Sequence, residues 1–169
     1  MSEKPQLAVF HTLTGNALID KYLEGLKTIH PDVLKLSDEK MNQRFEGGDL
    51  GTWSVRELIG HLVESEIVFM YRMRSAAAED QPTFSPWNED AFVKQGLYVN
   101  MPVKTAIDTL TGLRQWNAAW LRTLSEEGFQ RVGVSTSGKQ GTVHSILAFC
   151  AYHLEFHNWY LDQKMKVLL

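Results

Sequence analysis

The chain has 169 residues, of which 44% are hydrophobic and 22% charged, and a net charge of −3. That length suits one domain, residues 1–169, with a self-sufficient core, and the charge gives no electrostatic case for nucleic acid or an anionic membrane, both of which want clustered Lys/Arg. The single cysteine, Cys150, excludes an internal disulfide, no stretch approaches ~18 apolar residues and no leader pattern opens the chain, so a cytoplasmic protein with no membrane span is expected.

In chain order, Leu18, Ile19, Tyr22, Leu23, Leu26 and Ile29 follow helical spacing and predict a first helix over 13–29, ended by Pro31. A polar, glycine-bearing connection follows, with room for one helical turn at Ser37–Met41. Ser54-Val55-Arg56-Glu57 is a capping box, the serine and glutamate each satisfying the other's free backbone N–H, and it opens a second helix over 54–78. Residues 80–101 scatter Pro82, Phe84, Trp87, Phe92 and Tyr98 among polar residues. An aromatic-rich connection of that length folds over something, either one end of the bundle or a substrate. A third helix is predicted over 103–125, a glycine- and serine-containing link over 126–141, and a fourth helix over 142–164. Lys164 and Lys166 fall in its last turn, where cations favour the helix dipole. Four amphipathic segments without an alternating strand pattern indicate an all-α fold, most simply a four-helix bundle.

The chemistry concentrates on helix four. His153 and His157 are four residues apart, hence about 40° apart around a helix, so both project from one inward seam with Cys150. An unpaired buried polar group costs roughly 1–3 kcal/mol, so each inward imidazole needs a hydrogen-bond partner or a metal. His61, inward on helix two, supplies a third nitrogen; three protein ligands with one open position is the pattern of a catalytic divalent-metal site. The alternative is a set of core histidines held by hydrogen bonds. Glu155 lies two residues from each histidine of the pair, about 200° around the helix, so this is not a His-Glu-x-x-His motif. His144 is half a turn away from His153, and His11 and His30 fall at helix ends. Glu57 and Glu64, each one turn from His61, are candidates to orient its ring, although Glu57 is occupied by the cap. Cys150 reads as a buried, inert thiol.

Trp53-Ser54-Val55-Arg56-Glu57-Leu58-Ile59-Gly60-His61-Leu62 resembles the Trp-(Ser/Thr)-x-x-Glu-(Leu/Ile)-x-x-His-(Leu/Ile) signature of the DinB/YfiT-like superfamily. The segment from Gly141-Thr142-Val143 to His153-Leu154-Glu155-Phe156-His157 resembles its C-terminal histidine segment. The resemblance, covering roughly residues 10–165, implies an up-down-down-up four-helix bundle with a long crossover between helices two and three. It implies a divalent metal, zinc or nickel, on His61, His153 and His157, and a homodimer. An arginine on helix three near the site is also implied, for which Arg114 is the nearest match. The activity implied is that of a metal-dependent enzyme acting on a small-molecule substrate, with the metal activating water, as in a hydrolase, or a low-molecular-weight thiol co-substrate, as in an S-transferase. The alternative is a non-catalytic, stress-related dimeric metal-binding bundle.

Overall fold

The structure, a computed structural model, describes residues 3–169. A short helix, α1 (Leu7–His11), precedes α2 (Gly15–Glu24), which tightens into a 3-10 turn over Gly25–Thr28. Helix α3 (Asp38–Asn42) lies in the connection to α4 (Val55–Ala78). The crossover carries strand β1 (Thr83–Phe84) and α5 (Glu89–Lys94). Then come α6 (Val103–Leu121), α7 (Glu126–Gln130), strands β2 (Val132–Ser135) and β3 (Gln140–Thr142), and α8 (Val143–Leu168). The four expected helices are α2, α4, α6 and α8, and none of the helices is long and apolar enough to cross a membrane.

Side-chain pairings give the helix directions. Arg56 donates to Met101 O at 2.8 Å, Arg114 to Glu66 at 2.8 Å, and Arg74 lies over Trp116 at 3.8 Å, so α4 and α6 run parallel. Lys164 donates to Leu50 O, His61 meets His153, and Phe69 meets Phe149, so α4 and α8 run antiparallel. His144 contacts Leu13 O and Asn158 contacts Gly25 O, which makes α2 and α8 parallel. The topology is up-down-down-up. Parallel α4 and α6 require the connection from one to run the length of the bundle, and residues 79–102 do so.

The ends of these helices follow from local chemistry. The capping box at Ser54 and Glu57 is formed in both directions, with Ser54 N donating to Glu57 at 2.8 Å and Glu57 N to Ser54 at 3.1 Å. Thr142 caps α8 by accepting from Ser145 N at 3.0 Å, and Ser37 caps α3, the helical turn expected there. α6 stops at Leu121, short of the predicted end, because Ser125 instead caps the separate helix α7.

Residues 126–141 are not a bare link: β2 and β3 form an antiparallel hairpin pairing Val132 with Thr142 and Val134 with Gln140. β1 from the crossover adds in parallel, Thr83 against Val134. Strands of two to four residues are too short to display alternation. Gly133 is required there, because the Phe84 ring packs across the position its Cβ would occupy. The sheet thus staples the start of the crossover to the entrance of α8.

The core has two apolar clusters along the bundle. One contains Leu18, Ile19, Met73, Leu121 and Leu147, the other Leu58, Ile59, Leu110, Leu161 and Met165. Between them lies a buried polar layer of Tyr22, Glu66, Arg114, Asn117 and Cys150, whose two charged members, Glu66 and Arg114, the apolar periodicity does not reveal. The Arg114 guanidinium donates to Glu66 Oε2 at 2.8 Å, to Tyr22 O at 2.6 Å and to Cys150 O at 2.8 Å. Tyr22 Oη donates to the other oxygen of Glu66. Burial alone would lower the pKa of Arg114, but the adjacent Glu66, Cys150 and Tyr22 outweigh it and raise it. Burial, with Glu66 beside them, pushes the Tyr22 hydroxyl and the Cys150 thiol well above their ordinary values, so both stay protonated.

Removing one member of a buried ion pair strands the other charge, at a cost of about 3–5 kcal/mol, whereas replacing both by apolar groups is often near neutral. Arg114→Met and Glu66→Leu are therefore each expected to lower urea-unfolding stability by that amount, and the double variant to lose less than either. A double variant as unstable as the sum of the singles would contradict this account of the layer.

Candidate metal centre

One turn from the polar layer, three imidazoles converge. His61 comes from α4, and His153 and His157 from successive turns of α8. One ligand atom from each lies within 4.8 Å of the others. His153 Nε2 is 3.1 Å from His61 Nε2 and 3.1 Å from His157 Nε2. A neutral imidazole nitrogen offers either one proton or one lone pair, so a single Nε2 cannot make a full hydrogen bond to both neighbours. Three imidazole nitrogens this close are satisfied together when each offers its lone pair to a cation, and the donor set suits divalent zinc, copper, iron or nickel. The arrangement therefore fits the metal expected from the sequence.

Aromatic rings fix the imidazole planes. Trp87 stacks on His61 at 5.5 Å between centroids and 5° between planes, and Trp53 stacks on His157 at 6.0 Å and 5°. Phe69 and Phe149 each lie 5.6 Å from His153. The crossover thus supplies a wall of the site through Trp87. Its far end is anchored by Tyr98, whose ring packs on Gly60 where any Cβ would collide.

Burial makes protonation unfavourable at all three rings. It pulls the pKa of His61 down to about 4. For His157, burial and then the charges of His61 and Lys164 bring it to about 3. For His153, burial and then His157, His61 and Arg114 hold it well below the ordinary value. The imidazoles are thus neutral, the form a metal requires.

The other candidates lie elsewhere. His144 meets Leu13 O at 2.8 Å, Glu155 pairs with Lys21 at 2.7 Å, and Cys150 belongs to the Arg114 layer. Glu57 is spent on its cap and on Arg44, at 3.1 Å. Instead of Glu57 or Glu64, the carboxylate facing His61 is Glu89 of α5, with Oε2 3.6 Å from Nδ1. That distance is longer than a hydrogen bond, and among the described residues buried His61 Nδ1 has no hydrogen-bonding partner. Glu89 was not legible because it reaches the site from the crossover, with no helical register to His61; Asn88, which caps α5 at 3.1 Å, was its only local signal. Arg114 stands behind His153 rather than in the site, its donors committed to the core. Lys164, read from the sequence as a last-turn cation that favours the helix dipole, is buried over the Phe45 ring at 4.4 Å, and burial lowers its pKa to about 8.

A cleft of about 870 Å³ opens onto His153 and His157, walled by Phe69, Trp87, Phe149 and Phe156, with Arg72 and Glu89 among its polar groups. A groove of about 750 Å³ beside Thr14, Arg122 and His144 lies at the other end of the bundle, away from the three imidazoles.

A four-helix bundle with this order of directions and a three-histidine pocket at a walled cleft has the build of a metalloprotein. Residues 21–161 match the DinB superfamily, and the chain belongs to it. It is similar to a protein of Oceanobacillus iheyensis named "Putative metal-dependent hydrolase", 26% identical over 143 residues that cover 82% of this chain and 80% of that one. A protein of Geobacillus kaustophilus with the same description is 29% identical over 125 residues, covering 72% and 67%. Among solved structures, YfiT from Bacillus subtilis, titled "a probable metal-dependent hydrolase with an unusual four-helix bundle topology", superposes with a TM-score of 0.82 at 19% identity, over 98% of this chain and 93% of its own. A variant of a mycothiol-dependent maleylpyruvate isomerase shares the fold with a TM-score of 0.55 at 13% identity, over 89% of this chain and 59% of its own.

Each depressed imidazole ionises near 6.5 in the unfolded chain. The unfolded chain therefore binds more protons from about 6.5 down to the folded values, such as about 4 for His61. Stability of the metal-free protein should be complete above that window and be lost as pH falls through it. The urea midpoint of metal-free protein is expected to fall between pH 7 and pH 5, and to fall less steeply in His61→Gln. A midpoint that is flat or rises on acidification would contradict the buried, neutral triad.

Proposed function

We propose that this chain is a divalent-metal-dependent enzyme whose metal, zinc or nickel, is held by Nε2 of His61, His153 and His157. The observation that carries this reading is the convergence of three neutral imidazole nitrogens beside an aromatic-walled cleft. When bound, such an ion supplies Lewis acidity and lowers the pKa of a water or thiol placed at its open position. The chain's own residues hold the geometry. Nε2 of each ring would hold the ion and leave the ring proton on Nδ1, and at His61 that atom faces Glu89 Oε2 at 3.6 Å, close enough for the carboxylate to orient the ring on a small approach. Trp53, Trp87, Phe69 and Phe149 keep the imidazole planes fixed and the pocket poor in water. The substrate is a small molecule entering by the cleft.

The relatives' names favour water as the nucleophile, hence hydrolysis; a low-molecular-weight thiol, hence S-transfer, is the second form of the same chemistry. Homodimer formation belongs to the proposal but is independent of the site.

The test begins with elemental analysis of protein purified without a metal-affinity tag, where about one divalent ion per chain is expected. His61→Ala, His153→Ala and His157→Ala should each lower metal affinity by at least about ten-fold, given that even partners of ligands are worth 10–100-fold. Glu89→Gln should weaken binding less, and His144→Ala and Glu155→Ala should leave it intact. Retained metal in His61→Ala alongside its loss in His144→Ala would overturn the assignment. The loaded protein is then assayed on esters, amides and electrophiles, with and without thiols. Turnover without thiol supports hydrolysis, and turnover only with thiol supports transfer. Bound metal with no turnover would support a non-catalytic, stress-related metal-binding bundle instead.

A further inference from the structure

The polar equipment of the cleft is asymmetric. Arg72, on α4, lies between two rings, with Cζ 5.9 Å from the Phe69 centroid and 6.0 Å from that of Phe84. Its Nη2 donates to Ser85 O at 2.9 Å. The guanidinium is thus held by a carbonyl and two aromatic faces, yet among the described residues no carboxylate lies within ion-pairing distance of it. It lines the cleft, and its remaining N–H edge is uncommitted. Burial lowers its pKa, as expected of a cation partly desolvated without a counter-charge. A planar, fixed guanidinium with free donors matches a carboxylate or phosphate in a fork.

The rest of the cleft narrows the ligand. Phe149, Tyr152 and Phe156 form a ladder along α8, with centroids 6.1 Å and 5.2 Å apart, running past His153 to His157. Such a wall takes an apolar or aromatic body, and about 870 Å³ is ordinary for a small-molecule site. Glu89 and Asp90 on the crossover side penalise a second negative charge. Phe69 touches both ends, lying 5.6 Å from His153 and against Arg72, so a molecule anchored at Arg72 lays its body along the ladder toward the histidines.

We propose that the cleft binds small molecules bearing one negative charge, a carboxylate rather than a phosphate dianion, on an aromatic or apolar body, with Arg72 as the anchor that selects them. This rests on reading the cleft as the substrate side of the metal centre.

The test uses matched probes on the metal-loaded full chain: phenylacetate, 3-phenylpropionate, 4-phenylbutyrate and hexanoate, each beside its amide, with phenyl phosphate as the dianion. Binding is followed by Trp fluorescence and calorimetry in wild type, Arg72→Gln and Arg72→Lys, with circular dichroism and metal content read on each. At least one acid should bind roughly ten-fold more tightly than its amide, and more tightly than phenyl phosphate, in line with a charge-assisted hydrogen bond. Arg72→Gln should erase that preference without changing metal content, and Arg72→Lys should retain part of it. If no acid outbinds its amide, or if the preference survives in Arg72→Gln and disappears on metal removal, the proposal is overturned, the second result meaning that the ion itself captures the carboxylate. Tighter binding of phenyl phosphate would overturn the choice of a monoanion. A chain that takes up no metal yet selects acids through Arg72 would sink the metal reading alone; one that binds metal and shows no selection would sink this inference alone.

Discussion

The buried Arg114 guanidinium ties the bundle together. Its donations reach Glu66 on α4, the Tyr22 carbonyl on α2 and the Cys150 carbonyl on α8, while Arg114 itself stands on α6. Apolar side chains bind helices together but tolerate sliding; directed hydrogen bonds to a planar fork do not. Glu66 is five residues beyond His61 and Cys150 three before His153, so the contacts that set the depth of α4 against α8 lie about one turn from the imidazoles. A shift of one residue, about 1.5 Å along a helix, would separate the three nitrogens. The polar layer therefore secures the site without entering it.

The site adds a second constraint. Two imidazole nitrogens both 3.1 Å from a third cannot all be satisfied by one another, and burial denies them charge. Stacking by Trp53 and Trp87 nevertheless holds the rings in place. The pocket is organised for something with empty orbitals to share. Glu89 and Arg72 then divide the cleft, one carboxylate facing the His61 ring and one guanidinium facing the open space.

Much of this was legible in the sequence, and the limits have physical causes. The capping box announced α4, and helical rotation separated His153 and His157 from His144 and Glu155, because both signals depend only on spacing along one helix. The inward stripe of α4 failed at Glu66 and that of α6 at Arg114, since apolar periodicity treats charges as outward. On α4 the apolar Ile67 is 43% exposed, while its neighbour Glu66 is buried. The hairpin at Val132–Thr142 escaped because strands of four and three residues are too short to display an alternating pattern. Glu89 and Arg72 became meaningful only when the crossover was laid over α4 and α8, a contact between segments that no local pattern encodes.

The central claim is that three Nε2 atoms hold one metal ion. X-ray absorption at the metal edge, on protein isolated without added metal, tests it most directly. Zinc held as described should show nitrogen scatterers at about 2.0–2.1 Å, with imidazole outer shells accounting for three histidines. The set should drop to two in His61→Ala. A first shell containing sulfur, or one built from carboxylate oxygens without imidazole, would contradict the account.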